Sequence, residues 1–442
     1  MKNNASDESR KGGMLKKRVI SLLLITIVIF LVYAFIRPIL IHFGLASTIE
    51  LTIAIILLFI FIITIIILLI KSLLMTFKLL IKKKRPEWKP IKSQLLYAGY
   101  ILTVLFLMII TSQWFAYTPS VKGDDGKVIE NSIASLEQIS LNNSKQWISI
   151  RSHDEKNPVL LFLAGGPGGT QMAATREQLS ELERQFTIVN WDQPGSGKSY
   201  HAVDLEDLTP ERYIKDAQQL TLYLRDRFKQ DKIYVMGESW GSALGIMLVN
   251  EYPKLYHAFI GTGQMVDFKE TEEIDYELAK QIATDSGDTE KVLELEEQGP
   301  PPYYGKDVVW KESAYLMYLS DYMAKDPNII NGGYNTIGDI LGPEYGLYDK
   351  LNFLRGVAYT FNHVYQQLYE VDLRKQAVKL DVPVYFLIGR HDINAPISIT
   401  EEYFGMIEAP EKELIWFEHS GHSPWINETD KFVNTVVDCF LN

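Results

Sequence analysis

The sequence predicts an α/β fold, a mostly parallel sheet flanked by helices, that follows three membrane-spanning helices. Two observations carry this prediction. After residue 117, short apolar segments typical of strands alternate with longer segments typical of helices, which is the pattern of a parallel α/β sheet. Before residue 118, three apolar stretches are each long enough to cross the hydrocarbon layer of a bilayer as a helix. We therefore expect a membrane anchor over residues 1–117 and a separate folded domain after it.

Each of the three apolar stretches is uncharged in its middle, which favours an anchor over a transporter or a proton relay. They cover residues 19–36, 50–70 and 93–117. Basic residues precede the first stretch and lie between the second and the third, including the run at residues 82–85. The positive-inside rule then predicts a multi-pass protein of the cell membrane, with a cytoplasmic N-terminus and the following domain outside. A signal peptide cleaved near residues 44–46 is the alternative, which the long first apolar region disfavours.

Composition excludes several classes of protein. Of the 442 residues, 47% are hydrophobic and 12% aromatic, enough for a sizeable core and too many for a disordered chain. The single cysteine, Cys439, excludes a disulfide scaffold. Residues 1–116 carry 15 Lys and Arg against four Asp and Glu, whereas the rest carries 29 against 51. Such an acidic domain repels polyanions, so we expect no nucleic-acid partner. Without Cys and His at metal-ligand spacings, we also expect no metal and no cofactor.

The domain after the anchor divides into a core and an insertion. Predicted strands cover residues 133–139, 146–150, 159–163, 186–191, 232–236, 257–261, 383–388 and 414–417. Predicted helices of the core cover residues 175–184, 210–228, 242–252, 398–407 and 430–440, with Thr209 as the cap of the second. The core thus comprises residues 118–266 and 361–442. Residues 267–360 are acidic and helical in pattern, and we expect them to form a helical cap above the carboxyl ends of the strands, where ligands bind in such sheets.

Residues 237–241 read Gly-Glu-Ser-Trp-Gly and match the nucleophile elbow Gly-x-Ser-x-Gly. A predicted strand leads into this segment and a predicted helix leaves it, which is the context that the elbow requires. A serine hydroxyl needs a base and a carboxylate to become a nucleophile. Asp392 and His422 each follow a predicted strand, in the expected order after Ser239. We therefore predict a Ser239, Asp392 and His422 triad, with His391 and His419 as competitors for the role of the base.

Two backbone N–H groups are expected to stabilise an oxyanion beside Ser239. The first belongs to Trp240, and the second to Gly166 in the glycine-rich loop over residues 164–169.

Residues 192–199 end in Gly-Lys-Ser, which suggests a phosphate-binding loop. That motif requires a glycine where Asp192 stands, which disfavours nucleotide binding.

These motifs resemble the α/β-hydrolase superfamily and, within it, the prolyl aminopeptidase (proline iminopeptidase) family. That family combines a His-Gly-Gly-Pro-Gly loop, an Asp-Gln-Arg-Gly-x-Gly-x-Ser segment and a Gly-Gly-Ser-Trp-Gly-Ser elbow, which stand here at residues 164–168, 192–199 and 237–242. The resemblance implies a serine hydrolase with a helical cap that removes an N-terminal residue, often proline, from short peptides through an acyl-enzyme. Ala164, Pro194 and Glu238 depart from the family's His, Arg and Gly.

An aminopeptidase also needs a carboxylate that receives the ammonium group of its substrate. The cap begins with an acidic run in which Glu270, Glu273 and Glu277 are the substrate-binding candidates, beside Glu272 and Asp275. The alternative, which is the more common one for such a run, is a solvated helix face. Two alternatives to an aminopeptidase remain open. One is an esterase or lipase that acts on acyl substrates delivered from the membrane, which a cap lined by apolar groups would favour. The other is a catalytically idle hydrolase fold that serves as a receptor.

Overall fold

The computed structural model describes residues 2–42, 44–81 and 88–441. It separates into two compact units, the first formed by residues 1–116 with 346–348 and the second by residues 117–345 with 349–442. The basic run at residues 82–85, which contributes to the predicted orientation, lies outside the described residues.

The first unit contains three long apolar helices. These are α1 (Lys2–His42), α2 (Ala46–Leu80) and α3 (Lys89–Trp114). Each helix contains an apolar portion that is long enough to cross a membrane. Each predicted span falls within one of these helices, except that α3 ends at Trp114 rather than at residue 117. The helices therefore fit the predicted membrane anchor.

An ion pair joins α1 to α2 near the end of one helix and the start of the other. Arg37 Nε lies 3.3 Å from Glu50 Oε1, and the Tyr33 hydroxyl donates to the same carboxylate oxygen. Both charges lie near helix ends, so the middle of each apolar stretch stays uncharged, as the sequence predicts.

The second unit is built on an eight-stranded sheet in the order β1-β2-β4-β3-β5-β6-β7-β8. The strands are β1 (Ile133–Leu141), β2 (Ser144–Ser152), β3 (Val159–Leu163), β4 (Thr187–Asp192), β5 (Ile233–Glu238), β6 (Tyr256–Thr262), β7 (Val384–Gly389) and β8 (Lys412–Phe417). β2 runs antiparallel to β1 and β4, and the strands from β4 across to β8 are parallel. Each predicted strand corresponds to one of these, so the mostly parallel sheet is confirmed.

Helices cover both faces of the sheet and fill the chain between β6 and β7. They are α4 (Met172–Gln178), α5 (Pro210–Phe228), α6 (Trp240–Glu251), α7 (Phe268–Ser286), α8 (Thr289–Gln298), α9 (Val308–Met323), α10 (Thr336–Ile340), α11 (Leu347–Arg355), α12 (Phe361–Leu368), α13 (Leu373–Gln376), α14 (Ile397–Met406), α15 (Pro424–Asn427) and α16 (Thr429–Leu441). The helix predicted over residues 175–184 is wrong in its second half, because α4 ends at Gln178 and a 3₁₀ turn follows at Ser180–Arg184. The Thr209 hydroxyl caps α5 by accepting the Arg212 N–H at 3.2 Å.

The core lies on both sides of the sheet, as the side chains of β3 illustrate. Val159, Leu161 and Leu163 pack in the layer that contains α5 and α6, whereas Leu160 and Phe162 pack in the layer that contains α16. Successive side chains of a strand point to opposite faces, so a central strand covered on both sides is apolar throughout. This arrangement fixes the carboxyl ends of β5, β7 and β8 at one edge of the sheet.

The helices α7–α12 between β6 and β7 form what we call the helical insertion. It has its own small core, in which Tyr276, Leu295, Tyr315 and Leu319 of α7, α8 and α9 are buried together. The insertion also supplies side chains to the cavity described below.

Candidate active site

Ser239 stands at the sharp turn between β5 and α6. Its backbone has φ +53° and ψ −125°, a conformation that is rare for any residue other than glycine. The flanking glycines have no room for a side chain. A Cβ on Gly237 would collide with the carbonyl oxygen of Gly241, and a Cβ on Gly241 with that of Leu163. The elbow predicted from the sequence is therefore present, and its glycines allow α6 to pack closely on β3 and β5.

Asp392 follows β7 and His422 follows β8, and the two side chains form a pair. His422 Nδ1 lies 3.0 Å from Asp392 Oδ2 and 3.1 Å from Oδ1, so the ring donates this hydrogen to the carboxylate. The backbone N–H groups of Asn394 and Ala395 also donate to Asp392 Oδ1, at 2.9 and 3.0 Å. Burial lowers the pKa of His422. The charge and hydrogen bond of Asp392 raise it by a larger amount, with a smaller contribution from Glu238, and the resulting pKa is about 9.

The competing histidines are engaged elsewhere. His391 Nδ1 lies 3.1 Å from Asp326 Oδ2, and His419 Nδ1 lies 3.2 Å from the carbonyl oxygen of Asn328. The structure thus places His422, rather than either neighbour, beside Asp392.

A cavity of about 180 Å³ brings the predicted groups together. From the core it is lined by Gly166, Ser239, Trp240 and His422. The lining also includes Met265 and Asn394. The helical insertion contributes five more residues, Phe268, Glu272, Leu316, Phe361 and Tyr365. The predicted nucleophile, the predicted base and both residues predicted to bind an oxyanion therefore line one cavity.

The glycine-rich loop is held against the elbow by two glutamines. Gly166 has φ +133°, which favours glycine, and a Cβ there would crowd the backbone N–H groups of Gly168 and Gly169. Gln193 accepts from the Trp240 indole at 3.0 Å and donates to the Ala164 carbonyl at 3.0 Å. Gln171 accepts the Gly165 N–H at 3.1 Å. These contacts hold the two residues before Gly166 and the side chain of Trp240, next to the amides that the sequence predicts as oxyanion donors.

Glu238 is a buried carboxylate that sequence reasoning noticed only as a departure from the family motif. It accepts hydrogen bonds from Ser423 Oγ at 2.6 Å and from the Trp425 indole at 2.7 Å, and a third from the Gln171 amide. Ser423 follows His422 in the chain, and Gln171 also holds the glycine-rich loop. Glu238 therefore connects the elbow, that loop and the histidine segment.

Glu272, at the start of α7, is the acidic side chain on the cavity wall. The Tyr315 and Tyr365 hydroxyls donate to its two carboxylate oxygens. Burial raises its pKa to about 7, although these hydrogen bonds act in the opposite direction. One turn further along, both carboxylate oxygens of Asp275 are buried and lack a hydrogen-bond partner within the described residues. Burial, with repulsion from Glu272 and Asp392, raises the pKa of Asp275 well above its ordinary value.

The three acidic residues favoured from the sequence lie on the other side of α7. Glu270 pairs with Arg374 at 2.6 Å, Glu273 lies 3.9 Å from Lys269, and Glu277 is exposed. None of the three lines the cavity. The reason is helical geometry, because residues 272, 275, 276 and 279 form the buried face of α7.

In the segment that resembles a phosphate loop, over residues 192–199, protein carboxylates occupy the groups that would bind a phosphate. The Lys198 N–H donates to Asp192 Oδ2 at 2.7 Å, and Lys198 Nζ lies 2.6 Å from Asp349 Oδ2. The groups that would hold a phosphate are thus occupied by protein carboxylates.

Across the described part of the chain, no group of three His, Cys, Asp or Glu side chains is placed to hold a metal ion.

A family model and curated relatives agree with this architecture. Residues 158–429 match the family model described as the alpha/beta hydrolase fold. The "Probable aminopeptidase YbaC" of Bacillus subtilis is 32% identical over 318 residues, covering 70% of this chain and 96% of the relative. The proline iminopeptidase of Heyndrickxia coagulans is 23% identical over 301 residues, covering 67% and 95%. The crystal structure of a Mycobacterium smegmatis proline iminopeptidase has a TM-score of 0.49 at 16% identity, covering 69% and 97%. The chain belongs to the alpha/beta hydrolase family.

Proposed function

We propose that this protein is a membrane-anchored serine aminopeptidase that releases N-terminal residues from short peptides. The observation that carries the proposal is the cavity in which Ser239 and His422 face a buried carboxylate, Glu272. The names of the two relatives reported above support the same class of activity. The predicted orientation would place the second unit, which we call the hydrolase unit, outside the cell.

In the proposed reaction, His422 Nε2 takes the proton of the Ser239 hydroxyl as its oxygen attacks the scissile carbonyl. Asp392 holds the other ring nitrogen in its protonated form and stabilises the imidazolium. The N–H groups of Trp240 and Gly166 stabilise the negative charge on the carbonyl oxygen. His422 then protonates the departing amine, and water, activated by the same ring, hydrolyses the acyl-enzyme to restore Ser239.

The specificity for an N-terminus would come from the acidic wall. An ammonium group close to the Glu272 carboxylate would be stabilised by its charge. The buried Asp275, one turn further along α7, is a second acid on the same face of the helix. The cavity volume of about 180 Å³ supports a small occupant such as one amino-acid residue, since sites for drug-sized ligands measure roughly 300–1,000 Å³.

An esterase is the second candidate. Phe268, Leu316 and Phe361 of the helical insertion contribute apolar side chains to the cavity lining, which suits an acyl group. The buried acids and the small volume favour the aminopeptidase.

The test uses full-length protein in phospholipid nanodiscs. Amino-acid p-nitroanilides, including the proline compound, are compared with their N-acetylated forms and with p-nitrophenyl acetate. We expect hydrolysis of the substrates that carry a free amino group, loss of at least a thousandfold in Ser239→Ala, and normal rates in Ser140→Ala, an exposed serine of β1. Turnover of the esters alone would contradict the aminopeptidase, and full activity of Ser239→Ala would contradict the triad.

A further inference from the structure

The helical insertion contains a run whose exposed face is apolar, while several polar side chains of the same run are buried together with Leu347 and Phe353. The run comprises α11 and the π-helical turn Gly356–Thr360. Leu351, Leu354, Val357 and Tyr359 are between 40% and 58% exposed. By contrast, Asp349, Lys350 and Asn352 are buried. A helix on a water-soluble surface shows the opposite pattern.

Polar contacts hold this helix in its inverted orientation. Asp349 accepts from Lys198 Nζ at 2.6 Å. Lys350 Nζ donates to the carbonyl oxygens of Ile340 and Gly342, at 2.7 and 3.3 Å. Rotating the helix to hide its leucines would break these buried interactions, each of which is costly to leave unmade. The outward apolar face is therefore a fixed feature of the fold.

A short stretch of chain connects a candidate membrane span to the turn that precedes this face. The helix α3 ends at Trp114, and the N–H of Tyr117 donates to the carbonyl oxygen of Pro343 at 3.0 Å. The three residues from Trp114 to Tyr117 can extend at most about 10 Å. Pro343 lies in a turn closed by the Tyr345 N–H and the Gly342 carbonyl, and α11 begins directly after it. The turn that binds Tyr117 and leads into the inverted helix is therefore joined to a candidate membrane span by only three residues of chain.

We propose that Leu351, Leu354, Val357 and Tyr359 form a lipid-binding face that lies in the membrane interface. The proposal rests on the membrane anchoring included in the proposed function. Contiguous exposed apolar side chains mark protein or membrane contacts, and a nearby bilayer is the partner that the connectivity provides. Lipid at this face would remove apolar side chains from water at no cost to the buried polar contacts.

The same helical run continues to the candidate active site. The π-helical turn leads directly into α12, whose Phe361 and Tyr365 line the cavity beside Ser239. Gly356 packs so tightly against the Gly168 carbonyl that a Cβ would collide with it. The lipid-binding face therefore lies about one helical turn from the cavity wall, and substrates dissolved in the interface would arrive close to the nucleophile.

The experiment measures the depth of single positions in full-length protein reconstituted into phosphatidylcholine–phosphatidylglycerol nanodiscs. In a Cys439→Ala background, an environment-sensitive fluorophore is attached to Leu354→Cys or, as a second probe, Leu351→Cys. The matched control is Leu293→Cys on α8, where the leucine is 58% exposed compared with 57% for Leu354. We expect nitroxide-labelled lipids to quench the α11 probes at least threefold more than the control. Equal quenching of all three positions would overturn the lipid-binding face.

Two further measurements separate this proposal from the catalytic one. The labelled proteins are also prepared with Ser239→Ala, and the same quenching is expected because contact with lipid requires no turnover. Resistance to alkaline carbonate extraction reports the anchor. Extraction of the protein would overturn both the anchoring and the lipid-binding face, whereas retention with equal quenching would overturn the lipid-binding face alone.

Discussion

At the scale of single residues, Glu238 combines a structural and an electrostatic role. Its carboxylate accepts three hydrogen bonds from segments that carry the glycine-rich loop and His422. A glycine at this position, as in the resembling family, would leave those donors to other partners. The charge of Glu238 also helps to raise the pKa of His422. Glu238 is thus a positioning residue whose effect on His422 can be measured.

We predict that Glu238→Gln shifts the pH profile of kcat/KM. The base must be neutral, so activity rises with pH towards the His422 pKa of about 9. Removing a nearby negative charge lowers that pKa, and the rise then occurs at lower pH. The amide also satisfies fewer donors, which we expect to destabilise the fold by about 1–3 kcal/mol. The exposed Glu206→Gln is the control, and an unshifted profile would show that Glu238 acts on packing alone.

We predict that Glu272 gives substrate binding its own pH dependence. With a pKa of about 7, its carboxylate is charged above neutral pH and protonated below it. KM for substrates with a free amino group should therefore fall as pH rises through 7, until the substrate ammonium itself deprotonates near about 8. Glu272→Gln should raise KM roughly tenfold and abolish this dependence, while Glu273→Gln on the exposed face of α7 leaves it intact. A normal KM in Glu272→Gln would show that Glu272 does not bind the substrate.

At the scale of elements, the elbow depends on the close approach of α6 to the sheet. We predict that Gly241→Ala abolishes activity and lowers the free energy of unfolding by about 1–3 kcal/mol, because its Cβ would meet the Leu163 carbonyl. Gly405→Ala on α14, where a Cβ meets open space, should be neutral or stabilising by up to about 1 kcal/mol. Urea unfolding of both variants and their turnover rates provide the comparison. Equal stabilities would argue against tight packing at the elbow.

The elements also show which features a sequence can predict. Strands such as β3 and the elbow were predictable because a buried parallel strand is a continuous apolar run and the elbow glycines are fixed in spacing. The position of Glu272 on the cavity wall was not predictable, because α7 carries acidic residues around its circumference. Only tertiary packing decides which of them faces inward. The break after Gln178 likewise depends on packing, since the local sequence is compatible with a longer helix.

At the scale of the whole molecule, the distribution of charge predicts the orientation in the membrane. In a Cys439→Ala background, Lys254→Cys in the hydrolase unit and Lys78→Cys near the end of α2 are both exposed. A membrane-impermeant maleimide should label residue 254 in intact cells, and residue 78 only after permeabilisation, because basic segments remain in the cytoplasm. The reverse pattern would place the hydrolase unit inside the cell.

The buried position of Glu272 has a thermodynamic consequence for any cationic substrate. A carboxylic acid with a pKa near 7 is partly protonated at neutral pH, and an incoming ammonium group lowers that pKa by its charge. Binding therefore expels a fraction of a proton into the solvent. The heat of binding measured by calorimetry with Ser239→Ala should then vary with the ionisation enthalpy of the buffer, and the slope of that variation counts the protons released.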